Sequence, residues 1–103
     1  MTIKEFQKLI EELYYTKDKS RGVTGTFCWF SEEVGELSRA IRHGKRKHLA
    51  EEFADVFAWL VTLASLCKID LEQATKKYQK GCPKCKKIPC VCKEKRKRFH
   101  KNK

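Results

Sequence analysis

The chain has 103 residues and a formal net charge of +11, from 24 Lys and Arg against 13 Asp and Glu, which leaves room for one small domain with an appendage. The excess is not shared: residues 80–103 hold 11 basic groups against Glu94 alone, whereas residues 1–79 carry 13 basic and 12 acidic groups. A nearly neutral body excludes reading the whole chain as a nucleic-acid binder from its charge, and confines that property to a tail.

The N-terminal MTIKEFQKLI is amphipathic and charged, unlike the apolar core of a secretory signal, which points to a cytoplasmic protein. It reads as the start of a first helix, with Thr2 as N-cap and Glu5 three residues on, the capping-box pattern. Ile3, Phe6, Ile10 and Leu13 share one face, and the helix is expected to end near Tyr15–Lys17. Residues 16–26, TKDKSRGVTGT, are polar and include Gly22 and Gly25, which predicts a loop. A second helix is predicted from about Thr26 to His43, with Phe30, Val34, Leu37 and Ile41 as its core stripe and Gly44 as its C′ residue.

A third helix starts near Arg46 or Lys47 and reaches Cys67, with Leu49, Phe53, Val56, Leu60, Leu63 and Cys67 as its seam. From residue 53 to 67 Asp55 is its only charged residue, and the stretch is too short and that charge too costly for a membrane span. The fourth, DLEQATKKYQKG, has Asp70 as N-cap, Gln73 at the third helical position and Gly81 as its stop. Short connections between the later helices predict an all-α, four-helix antiparallel bundle over residues 1–80. Ala50, Ala54, Phe57, Ala58 and Val61 lie on faces of the third helix that three short neighbours cannot cover, so a homodimer with this helix at the subunit boundary is expected.

Each helical residue advances by about 100°, which fixes a second stripe beside each seam. On the second helix it is Trp29, Glu33, Glu36 and Ala40; on the third, His48, Glu52, Asp55 and Trp59. A helix apolar on all sides is normally buried, and an isolated buried carboxylate is costly, so Asp55 calls for a partner. If the two helices are antiparallel neighbours, Glu33, Glu36, Glu52 and Asp55 converge. Neither stripe carries a matching set of basic residues, so the counter-charge comes from outside. A hard divalent cation such as Mg2+ or Mn2+ suits oxygen ligands of this kind. Glu32 and Glu51 point away from the seam and read as solvated.

EEVGEL at 32–37, followed by EEFADV at 51–56, spells E-x-x-E, a spacer, and E-x-x-D. Together with the tryptophans and the IDLEQA stretch, this resembles the MazG-type all-α nucleoside triphosphate pyrophosphohydrolases over roughly residues 3–80. The resemblance implies an oligomer, dimer or tetramer, that hydrolyses an NTP or dNTP to NMP and pyrophosphate with Mg2+ (or Mn2+). It also implies that Glu33, Glu36, Glu52 and Asp55 are the metal-binding and catalytic residues. Attack at the α- or the β-phosphorus is open at this point. Trp29 is a candidate stacking surface for the base, and Lys17, Lys19 and Arg21 are placed to touch phosphates.

CPKCKKIPCVC, residues 82–92, contributes four of the six cysteines. Cys82, Cys85, Cys90 and Cys92 suit a tetrahedral structural Zn2+ site, and metal binding in a reducing compartment fits better than disulfides. Cys28 and Cys67 are expected in the core. Residues 81–92 thus form a knuckle, and residues 93–103 a basic, disordered tail able to contact nucleic-acid phosphates non-specifically. A rival class is a zinc-containing nucleic-acid-binding protein on a catalytically inactive bundle. Loss of any of the four acids would favour it, and all four are present.

Overall fold

Thr2 caps the first helix as its sequence requires: Glu5 N–H donates to Thr2 Oγ1 at 3.0 Å, and Thr2 N–H donates to Glu5 Oε1 at 2.7 Å. The structure, a computed structural model, is described for residues 1–94. From this cap helix α1 runs over Ile3–His43, α2 over Arg46–Leu66 and α3 over Leu71–Thr75, followed by a single 3-10 turn at Lys76–Tyr78. Among the described residues there is no strand, and no helix long and apolar enough to cross a membrane. The part of the expected basic tail from residue 95 onward lies outside the described residues.

Three α-helices stand where four were expected, and the reason lies in residues 16–26. The predicted loop is helical except at Gly22 (φ 80°, ψ 175°), so the two expected helices are joined across one break. Before that break the segment pairs Asp18 with Arg21 at i, i+3, a spacing that supports a helix rather than a loop. The last helix is shorter than predicted. Thr75 Oγ1 bonds back to the Glu72 carbonyl at 2.8 Å, and α3 buries no residue. Without a buried face a short helix has little to sustain it.

Gly44 ends α1 in extended backbone (φ −79°) rather than left-handed. A Cβ there would lie 2.7 Å from the Ala40 carbonyl oxygen, so a close approach, not a handedness, requires glycine. It lets the chain reverse within two residues, and α2 packs back along α1.

Gln7 fastens the far end. Its Nε2 donates to Ser65 Oγ at 3.1 Å and to the Ile69 carbonyl at 2.8 Å, and its Oε1 accepts from Leu71 N–H at 3.0 Å. One buried side chain therefore ties α1 to the end of α2 and the start of α3. Phe6 stacks on Phe57 at 5.3 Å between centroids.

The fully apolar core is small, with Ile10, Ala40 and Val61 buried. Val34, Ile41, Phe53 and Leu60, expected in the seams, are exposed on this single chain, as are Cys28 and Cys67, expected in the core. Two helices and a short third cannot enclose both faces of α2.

Candidate active site

The acid stripes of α1 and α2 face each other. Carboxylate oxygens of Glu33, Glu52 and Asp55 lie within 4.8 Å of one another. Glu36, one turn along α1, is outside that trio but close enough to act on it. Burial, and then the charges of Glu52, Asp55, Glu36 and Glu32, push the Glu33 carboxyl above its ordinary value.

Burial within the trio differs from the sequence expectation. Asp55 is exposed and Glu52 is the buried member, because the short neighbours leave the Asp55 face of α2 open. Glu52 Oε2 is sealed from solvent and has no hydrogen-bond partner. Leaving such an acceptor unpaired costs about 1–3 kcal/mol, more when it is charged. Among the described residues Arg21 pairs with Asp18, and His48 Nδ1 lies 3.9 Å from Glu51, so no basic side chain neutralises the trio. Three carboxylates this close, one of them with an orphaned oxygen, fit a divalent cation, whose preference is for carboxylate oxygens.

Asp55 also lines a cleft of about 340 Å³ between α1 and α2, with Tyr14, Lys17, Asp18, Arg21 and Trp59 among its walls. Lys17 and Arg21, expected at the substrate, are both here. Trp29 is not a cleft residue; it stacks on Trp59 at 6.0 Å with an interplanar angle of 12°. Sequence reasoning missed Tyr14, Asp18 and Trp59 as cleft residues. The signal was present, since Ile10, Tyr14, Lys17 and Arg21 recur at helical spacing once α1 is carried through residues 16–21.

The second cluster is local. Cys82, Cys85, Cys90 and Cys92 place all four Sγ atoms within 4.8 Å of one another. Cys82 and Cys92 are 3.8 Å apart, and Cys85 and Cys90 3.9 Å. A tetrahedral zinc with Zn–S near 2.3 Å separates its sulfurs by about 3.8 Å, whereas a disulfide needs about 2.05 Å. Turn hydrogen bonds build the pocket: Lys86 N–H donates to the Cys82 carbonyl at 2.7 Å, and Cys82 N–H to the Lys87 carbonyl at 3.1 Å. The backbone N–H of Cys85, then that of Lys84, holds the Cys82 thiol down to about 6. Hydrogen bonding with Cys90, then with Cys85 and Cys82, pushes Cys92 up to about 12.

The family model of the MazG nucleotide pyrophosphohydrolase domain matches residues 22–86. The chain belongs to this family. The match takes in both acid stripes and runs into the cysteine segment, while residues 1–21, which supply one wall of the cleft, precede it. None of the curated proteins compared matches the chain. Membership makes the chain a nucleotide pyrophosphohydrolase at the level of the family, with a nucleotide as its substrate.

Proposed function

We propose that the chain is a Mg2+-dependent pyrophosphohydrolase that cleaves a nucleoside triphosphate to the monophosphate and pyrophosphate. The observation that carries this reading is the trio Glu33, Glu52 and Asp55, with the unpartnered Glu52 Oε2 at its buried edge. These three carboxylates would hold the ion, and Glu36 would complete the set. When bound, the ion offsets the charge of the triphosphate and lowers the pKa of a bound water. The chain's own groups do the rest. Lys17, on the cleft wall, holds phosphate oxygens, while Arg21 on the same wall stays paired with Asp18. Asp55, which belongs to both the cleft and the trio, aligns the phosphates with the acids. A carboxylate oxygen not engaged in ligation accepts the proton of the attacking water.

Two further features belong to this reading. The exposed apolar side chains support a homo-oligomer, and the sulfur spacing supports one structural Zn2+ per chain in the knuckle. Free thiols at such a site favour the cytoplasm, where they stay reduced.

The deciding experiment is a panel of NTPs and dNTPs incubated with the full chain, with and without Mg2+. Monophosphate and pyrophosphate should appear in equal amounts, and only with the metal. Release of inorganic phosphate and diphosphate nucleotide instead, or no turnover of any member of the panel, rejects the proposal.

A further inference from the structure

Asp18 is a buried carboxylate, 5% exposed, outside the acid trio. Its Oδ1 accepts from Arg21 Nη1 at 3.0 Å. The same nitrogen donates to Oγ1 of Thr26 at 3.2 Å, a residue with no exposed surface. The Arg21 guanidinium lies 4.8 Å from the centroid of the Trp59 ring. Both ends of the ion pair are thus fixed. Oδ2 of Asp18 has no protein partner among the described residues. It is not sealed either, because the sealed, unpartnered side-chain oxygen there is Glu52 Oε2. The surface that Asp18 borders is the cleft beside Asp55.

Building on the pyrophosphohydrolase reading, we propose that this cleft holds the nucleobase, and that Asp18 selects bases carrying an exocyclic amino group over uracil and thymine. At about 340 Å³ the cleft lies at the small end of ligand sites. It has room for a base and sugar but not for an extended triphosphate as well. The phosphates therefore leave at the Asp55 end, toward the acids. Tyr14 offers the flat surface a base needs, and Trp59, whose ring is stacked by Trp29 and covered by Arg21, contributes its edge.

An ionised carboxylate is an acceptor only. The amino groups of adenine, cytosine and guanine donate, whereas O4 of uracil or thymine would set one acceptor against another. The single ring N–H at that edge of uracil is flanked by carbonyls. Arg21 cancels the charge of Asp18, so the selecting oxygen does not repel the triphosphate. Tyr14, Lys17 and Asp18 precede residue 22, where the family match begins.

Nucleosides test it without hydrolysis. Binding of cytidine and uridine, which differ by amino group against carbonyl at one ring position, is followed in the full chain by tryptophan fluorescence. Cytidine should bind at least about tenfold more tightly, the discrimination of one charge-assisted hydrogen bond. Asp18→Asn keeps an acceptor for Arg21 but replaces the oxygen that Arg21 does not hold with a donor, and should shift the preference toward uridine. The same shift should appear in KM for CTP against UTP, with kcat for the two changed much less. Equal binding of the two nucleosides by the parent chain, or no binding of either, overturns the proposal. So does an unaltered preference in an Asp18→Asn protein of unchanged helicity. If that variant does not fold, the parent comparison decides alone. A nucleoside preference in a chain that hydrolyses no nucleotide would reject the pyrophosphohydrolase reading and leave base selection standing.

Discussion

Glu52 is the residue on which the metal assignment turns. It is buried, its Oε2 has no partner, and Glu33 and Asp55 crowd it with like charge. Glu52→Gln gives the trio an amide donor in place of a third carboxylate. Without metal this should stabilise the fold by about 1 kcal/mol, raising the melting midpoint by about 4–8 °C for a domain of this size. Addition of Mg2+ should raise the midpoint of the parent chain but not that of the variant. Hydrolysis should fall by more than the roughly 10–100-fold seen when only an outer partner of a metal ligand is lost. Melts with and without Mg2+ check this; a variant that responds to the ion as the parent does would remove Glu52 from the ligand set.

The element that organises the site is α1, through its break at Gly22. That residue lies at φ 80°, ψ 175°, a region open essentially to glycine alone and costing other residues about 1–3 kcal/mol. An added Cβ would meet nothing within 4 Å, so the cost of Gly22→Ala is conformational and not steric. The variant should melt several degrees lower. It should also raise KM more than it lowers kcat, because Arg21 is the neighbouring residue and its seat depends on the break. Gly25 serves the same seat by leaving space, since a Cβ there would lie 2.8 Å from Arg21 Cγ. Thermal melts and steady-state kinetics of Gly22→Ala test the argument. Unchanged stability would mean that α1 tolerates a continuous helix at this point.

At the scale of the whole molecule, a single chain leaves too much apolar surface in water. Phe27 is 55% exposed, Ile41 60% and Phe53 53%, with Val34, Phe57 and Leu60 above 40%. The radius of gyration is 16.9 Å, where a closed domain of about 100 residues has about 13 Å. Exposed apolar side chains in this number support the proposed homo-oligomer. Native mass spectrometry of the full chain should therefore show a dimer or tetramer of the 12.1 kDa chain, with one zinc ion per subunit. A Phe53→Asp variant should shift the assembly toward monomer while keeping its zinc, because the knuckle ligands are all local. A monomeric parent chain would contradict the interface, and zinc-free protein prepared under reducing conditions without chelator would contradict the knuckle assignment.

Spacing alone determined what is local in this protein. The Thr2–Glu5 cap, the acids at i and i+3 on α1 and on α2, and four cysteines within one turn-rich segment are neighbours by chain geometry, so the sequence was enough to pair them. The rest depends on which helix lies over which. Asp55 stands among apolar residues in sequence, yet Glu52 is the acid that α1 covers. Cys28 and Cys67 fall at apolar positions but face open surface on the single chain. Asp18 and Arg21 are neighbours at i, i+3, but Trp59 meets them only because α2 packs back along α1, a non-local contact that no period in the sequence encodes.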